Sequence, residues 1–293
     1  MLEEKLTKAI GALSRILPNL EGPNASCREL YSGVIRSTAM YGAPVWYRAL
    51  QEETSMILRR PQRAVAIRII RGYRTVSTDA ACALAGTIPW DLEAKIVSTL
   101  YDWKHARVEQ PTPKMIEEQP MALRRSAIDE WSRRLVQPKY GINTINAIQP
   151  ILRKWVDREN GELTFRMTQV ITGHGCLGWY LNKIAMREPT SACYQCNGCE
   201  KETAQHLLEE CPLWNKERDT LKSTIGDNLT LPNIMSQIIS EEEKWKAFQI
   251  FCETVMAKKE EDERRRETET NDAIRRRRNA RRKRRSVHSQ LGE

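Results

Sequence analysis

Apolar residues recur at three- and four-residue spacing along most of the chain, the mark of helices that bury one face. Leu2, Leu6, Ile10, Leu13 and Leu17 form the first stripe, and Pro18, which cannot continue a helix, ends it. Ser26 and Glu29 fit a capping box leading into Leu30, Val34 and Tyr41. The segment "YGAPVW" (41–46) interrupts the pattern with Gly42 and Pro44, and an apolar-basic helix over 57–71 carries Pro61 as a kink or restart. "TVSTDAACALAG" (75–86) predicts a short helix capped by Ser77 or Thr78 and closed at Gly86. From Trp90 to Val108, Leu92, Ile96, Leu100 and Trp103 share a stripe while Lys95, Ser98 and Asp102 face away.

The proline-rich stretch "EQPTPKMIEEQP" (109–120) is the best hinge. Beyond it, helical stripes return at Ile148, Ile151, Leu152, Trp155 and Val156, then at Leu163, Met167, Val170 and Ile171. Two more follow at Leu177, Tyr180, Leu181 and Ile184, and at Trp245, Phe248, Cys252 and Val255. No sustained period-two alternation and no internal repeat is present, so the expected fold is mainly α. The breaks divide the chain into 1–108, 109–160, 161–225, 226–263 and 264–293.

With 293 residues the chain can bury a sizeable core in one large or two smaller domains. No run of about eighteen apolar residues exists to span a membrane. The opening "MLEEKLTKAIGALSRILPNL" is charged at both ends and lacks a signal-peptide pattern, so an intracellular chain is expected. The eight cysteines are then expected as thiols or ligands rather than disulfides. The net charge of +9 changes meaning once divided. From Arg264 onward there are twelve basic and four acidic residues, so the excess belongs to the tail and the body is close to neutral.

"SACYQCNGCEKETAQHLLEECPLW" (191–214) gathers four cysteines and a histidine. Thiolate and imidazole are the ligands zinc prefers, and a structural site needs four of them. Cys193, Cys196, His206 and Cys211 read as C-x2-C-x9-H-x4-C; Cys196 with Cys199 reads as C-x2-C-x6-H-x4-C, and spacing alone leaves both open. "ETAQHLLEE" is strong helix sequence, while Cys211 precedes Pro212 and is pushed out of the helical region. Two residues five apart in a continuous α-helix diverge by about 140°, so a break after the helix would let Cys211 return toward His206. No His-x-Glu precedes a Pro-Cys-x2-Cys, and no His-Glu-x2-His occurs, so a catalytic zinc is not indicated.

"LTFRMTQVITGHGCLGWYL" (163–181), the Cys/Cys/His/Cys cluster and "CPLW" resemble the C-terminal region of insect-type non-LTR retrotransposon polyproteins, the reverse transcriptases of type-1 retrotransposable elements. The resemblance extends through "YGAPVW", "PQRAVAIRIIRGYRTVSTDAACALAG" (61–86) and "IPWDLEAK" (88–95), and covers roughly residues 1–222. It implies a thumb-like helical domain over 1–108, a helical connection over 109–160, and a Gly-His-Gly segment with a zinc knuckle over 161–225. An amphipathic helix (226–263) and a charged helical or disordered tail (264–293) would follow. The family's gap between second Cys and His is close to nine, which selects Cys193, Cys196, His206 and Cys211 for one structural zinc and leaves Cys199 as the alternate. Its polymerases also need an adjacent aspartate pair for two metal ions. No two aspartates are adjacent in this chain, and fingers, palm and endonuclease would precede residue 1. The expectation is a truncated reverse transcriptase with no catalytic residue of its own and no polymerisation alone.

What remains would be zinc-dependent binding of RNA or DNA. Arg59, Arg60, Arg63, Arg68, Arg71 and Arg74 lie in a stretch without acidic residues from Leu58 to Ser77, suited to a duplex backbone or, as most charge runs are, simply solvated. Arg275, Arg276, Arg277, Arg278, Arg281, Arg282, Lys283, Arg284 and Arg285 form a basic block of the kind that binds nucleic acid or an importin. The preceding "KKEEDERRRETE" could mask it through i,i+4 pairs. That block implies a nuclear protein, otherwise a cytoplasmic one. The alternative is a non-enzymatic nuclear scaffold whose zinc is purely structural. His174, between Gly173 and Gly175, is either a ligand-contacting residue or a helix-junction cap; His105 and His288 have no role. Cys27, Cys82 and Cys252 read as small buried hydrophobes, and the tryptophans as core.

Overall fold

The computed structural model of the chain describes residues 2–20, 22–106 and 110–269, with the backbone alone at 2, 3, 5, 13–15, 52–54 and 269. Helices α1 (Leu2–Ile16), α2 (Ala25–Met40) and α4 (Glu52–Ile69), with the short α3 (Ala43–Trp46) between them, build the start of the first of two compact units, 1–168. Their apolar stripes meet in one cluster, where Leu6 and Ile10 from α1 and Ile35 and Ala39 from α2 pack on Leu58 and Val65 of α4 and on Trp90. α5 (Thr78–Ala85) buries Ala80, Ala81, Cys82, Ala83 and Leu84, and its small side chains let it lie close on α4 and on α8 (Ile142–Ile148). Ser77 accepts from the Ala80 N–H and Gly86 closes the helix in the left-handed region, as the sequence predicts. α6 (Trp90–His105), α7 (Pro113–Arg134) and α9 (Leu152–Val156) complete the unit, with Trp131 and Trp155 fully buried. The Trp155 Nε1–H donates to the Leu84 carbonyl at 3.1 Å. No strand occurs among the described residues, so the fold is mainly α.

Several local expectations change. In α2 and at its C-cap the positions Leu30, Val34 and Tyr41 are exposed, and Ile35 and Ala39 form the buried face. Ser98 of α6, expected to face away, is buried. α2 starts two residues earlier than Ser26 implies, because Asn24 is the cap and its side chain accepts from the Cys27 N–H at 3.1 Å. α4 runs through Pro61. The proline-rich stretch expected as a hinge is helical from Pro113 onward, and the division between units falls at Thr168/Gln169. Pro113 occupies the first turn, where its missing N–H is not needed. Pro120 lies inside α7, but the turns around 112–118 are exposed and water can take the carbonyl it frees.

Arg28 is the charged residue at the heart of this unit, 1% exposed. It donates to the carbonyls of Pro23 at 3.0 Å, Arg68 at 2.7 Å and Pro18, tying the 17–24 loop to the end of α4. Burial, then the neighbouring charges of Arg71 and Arg68, lowers its pKa to about 10, so it stays cationic at neutral pH. α10 (Phe165–Thr172) crosses the division into the second unit, 169–293.

In the second unit α11 (Asn215–Ile225) and α12 (Leu231–Ile238) pack on α13 (Glu242–Glu269). Trp245, Phe248, Phe251, Cys252, Val255 and Met256 give α13 its apolar stripe. The stripe then turns polar without surfacing, since Lys259, Asp262 and Glu263 are also buried. None of the described helices is long and apolar enough to cross a membrane.

Replacing Arg28 by Met keeps the volume but strips three carbonyls of their donor. We expect Arg28→Met to lower stability by roughly 3 kcal/mol, at about 1 kcal/mol or more per orphaned group. Urea denaturation of the two chains, followed by circular dichroism, measures it.

Candidate metal centre

The segment before α11 buries Leu207, Leu208 and Trp214, and two backbone bonds shape its Cys-x2-Cys end. The Cys193 N–H donates to Cys199 O at 3.0 Å, and the Glu202 N–H to Ser191 O at 2.8 Å, closing a loop around the Cys-x2-Cys turn. Thr203 then caps a helical turn by accepting from the His206 N–H at 3.4 Å. His206–Glu210 is a π-helical turn, closed by the Cys211 N–H to His206 O bond at 2.8 Å. That i→i+5 bond solves the divergence an α-helix would impose, because it brings positions five apart into line. Cys211, at φ −60° and ψ 118°, has left the helix as Pro212 requires. The expected break after the helix is present, and the wider turn before it brings Cys211 back toward His206.

Cys193, Cys196, His206 and Cys211 offer one ligand atom each within 4.8 Å of one another. Cys193 Sγ lies 4.0 Å from Cys211 Sγ, and Cys196 Sγ 3.4 Å from His206 Nε2. A tetrahedron with metal–sulfur bonds near 2.3 Å has ligand–ligand edges of about 3.8 Å, so the set fits a bound metal ion. The other imidazole nitrogen, Nδ1, is 3.0 Å from Glu210 Oε2, the carboxylate partner that orients a ligating histidine. Burial, followed by the Glu202 carboxylate, pushes the Cys193 thiol well up, and burial also raises Cys196. Thiolates in this position need a cation between them. Cys199 stands outside the group, half-buried, and contributes its carbonyl to the loop.

The Gly-His-Gly segment makes the seat for this centre. Gln169 reaches over it, accepting the Cys176 N–H at 3.3 Å and donating to Glu260 at 2.9 Å. Gly175 has φ +101°, and a Cβ there would overlap the Gln169 carboxamide. Gly178 donates its N–H to Glu202 Oε2 at 2.7 Å, and a Cβ there would press on the carbonyls of Ser191 and Ala192 at 2.8 Å. His174 faces the Thr172 carbonyl through Nδ1 at 2.7 Å and packs on Tyr180, which is the helix-junction geometry. Cys176 is buried against Glu263, its Sγ 3.0 Å from the carboxylate.

The charged turns of α13 are what sequence reasoning missed. "KKEEDERRR" does not simply pair with itself: Lys259 meets Glu202, Asp262 meets Gln195, and Arg266 meets Glu188. A signal was available, since Lys259 and Asp262 continue the spacing of Cys252, Val255 and Met256.

The arginines of the first unit divide. Arg59 pairs with Asp79 at 2.6 Å; Arg63 holds the carbonyls of Val76 and Arg74. Arg68 reaches Leu17 O at 3.5 Å, and Arg71 holds Pro23 O at 3.1 Å and Glu162 at 2.5 Å. Arg60 and Arg74 are the exposed members. Cys82 and Cys252 are buried, with the Cys82 thiol pushed up to about 12 by burial, whereas Cys27 is only half-buried. His105 stacks on Tyr101 at the surface. The basic run Arg275–Arg285, the importin reading attached to it, and His288 lie outside the described residues.

The homologues of this chain are Pol polyproteins of R1 non-LTR retrotransposons of insects, as its motifs imply. It is 31% identical over 233 residues to the retrovirus-related Pol polyprotein from type-1 retrotransposable element R1 of Bradysia coprophila, covering 74% of this chain and 22% of that protein. With the Pol polyprotein from element R1 4 of Nasonia vitripennis it shares 26% identity over 256 residues, 85% of this chain and 64% of that protein. A 115 kDa protein in element R1DM of Drosophila melanogaster is 29% identical over 277 residues, 88% of this chain and 26% of that protein. The chain thus spans less than two thirds of these relatives, and the similarity supports a retrotransposon-derived protein. No family model and no solved structure matches the chain.

The geometry separates two thiols that the spacing left in competition. Cys199→Ser is expected to keep one metal equivalent per chain, while Cys193→Ser loses it or weakens it by at least tenfold. Metal content after exhaustive dialysis, measured by inductively coupled plasma mass spectrometry, gives the answer.

Proposed function

We propose that Cys193, Cys196, His206 and Cys211 hold one structural zinc ion, and that the chain is a nucleic-acid-binding portion of a retrotransposon reverse transcriptase. The observation that carries this reading is the convergence of four strong ligand atoms within 4.8 Å, in a chain whose relatives are Pol polyproteins. Three thiolates and an imidazole fill a tetrahedron and leave no open position for a water or substrate, so the ion organises rather than catalyses. In comparable finger peptides such an ion contributes on the order of 10–16 kcal/mol to folding, which a loop with so little core requires.

Nucleic acid is the partner that the basic run at 275–285, with its nine cations in eleven positions, would attract. Arg60 and Arg74 add exposed charge in the first unit. Their neighbours Arg59, Arg63, Arg68 and Arg71 serve the fold first, which shifts most of the expected affinity to the tail. Polymerisation is not part of the proposal, because no adjacent aspartate pair occurs in this chain.

Labelled RNA and duplex DNA titrated against the zinc-loaded chain should bind with an affinity that falls steeply with salt, by about 0.9 log unit per log unit of salt for each phosphate neutralised on duplex DNA. A chain ending at Glu269 should retain weaker binding with a shallower slope. Loss of all binding on that truncation would make the body a scaffold, and no binding by the full chain would end the proposal.

A further inference from the structure

The Cys193–Cys196 turn is held from outside the ligand set, and every tie leads to the same place. Gln195, between the two ligands, donates its N–H toward Cys193 Sγ at 3.4 Å and its Nε2–H to Asp262 at 3.1 Å. Its Oε1 accepts from Lys259 Nζ at 3.2 Å. Tyr194, the other residue of the turn, donates to Glu188 at 3.0 Å and lies under the Arg266 guanidinium, 4.4 Å from ring centre. Both residues of the turn are therefore bound up with the last turns of α13.

Lys259 is the pivot. Its side chain is 4% exposed, and the Glu202 carboxylate that it pairs with is 3% exposed. Glu202 in turn accepts the Gly178 N–H through its second oxygen, and anchors the loop through its backbone N–H to Ser191. A buried ammonium is tolerable only while its partners stay in place; when one partner leaves, the remaining charge is stranded. Up to Met256, α13 is held by an apolar stripe that packs with α11 and α12. From Lys259 onward the buried Lys259 and Asp262 meet polar groups of the knuckle, while Glu263 packs against Cys176.

We infer that the knuckle and the last three turns of α13 are one metal-dependent unit, with Lys259 as the positioning residue that joins them. Metal holds the Cys-x2-Cys turn, the turn holds Gln195 and Tyr194, and these hold α13. Metal loss frees the helix end, and with it the tether of the basic run that starts six residues after Glu269. Affinity runs the other way by the same linkage: an undocked α13 weakens metal binding. The inference rests on the zinc reading above, and deepens it by making metal occupancy a control on the nucleic-acid-binding segment.

Hydrogen–deuterium exchange on the full chain, zinc-loaded and after chelation under reducing conditions, tests it. Amides of 191–211 and 257–269 should both exchange at least tenfold faster without metal, while 246–256 stay protected. Loss of protection in 191–211 with 257–269 unchanged would overturn the inference and leave the zinc reading standing. A chain that takes up no zinc would overturn both. In a second arm, Lys259→Met should weaken zinc about tenfold in competition with a chromophoric chelator, the usual scale for groups that orient metal ligands. Lys258→Met, at an exposed neighbour, should not. Glu202→Gln combined with Lys259→Met should recover part of the loss, because neither charge is then stranded. Unchanged affinity in Lys259→Met would refute the positioning role.

Discussion

Three sulfurs and an imidazole nitrogen confined within 4.8 Å are the constraint around which the second unit is built. Such a group is unstable as bare thiolates in a buried setting, where the Glu202 charge adds to the cost of desolvating Cys193. A divalent cation reverses that balance, since it neutralises the ligands and binds them at once. Each unusual local feature nearby serves the convergence. The π turn aligns His206 with Cys211, Gly178 lets the loop carbonyls approach, and Gly175 leaves room for Gln169. A polar layer of Glu202, Lys259, Gln195 and Asp262 adds to the small apolar core of Leu207, Leu208 and Trp214.

The first unit depends on a different device. Its helices meet through an ordinary apolar cluster, but the loop between α1 and α2 is closed by a buried arginine working on backbone carbonyls. Arg28, Arg68 and Arg71 all spend donors on that loop or its surroundings. This bears on function, because cations committed to carbonyls inside the fold are less available to phosphates outside it. The net basic charge of the sequence is concentrated beyond Glu269.

Most of the helices of the first unit, the Ser77 and Gly86 caps and the burial of Trp155 were legible from spacing, because each rests on a local rule. The start of α7, by contrast, reads as a hinge, and α11 and α12 were not legible. The ligand set was legible as five candidates for four places. Geometry sets Cys199 apart, since its carbonyl, not its sulfur, serves the loop. Arg28 was invisible because its partners are carbonyls at Pro18, Pro23 and Arg68, which no side-chain pattern reports. The burial of the charged turns of α13 went unread for a related reason. Their partners Glu202, Gln195 and Glu188 lie more than fifty residues away, and only the persistence of the helical spacing hinted at burial.

Taken together with its R1 Pol homologues, the chain is best understood as a retrotransposon-derived helical protein with a Cys3His group able to hold a metal ion. X-ray absorption at the zinc edge on the purified full-length chain addresses that centre most directly. The account requires one zinc with three sulfurs near 2.3 Å and one nitrogen near 2.0 Å in its first shell. A shell of four sulfurs would bring Cys199 in and put His206 out, and an oxygen-rich shell, or none, would contradict the proposed centre altogether.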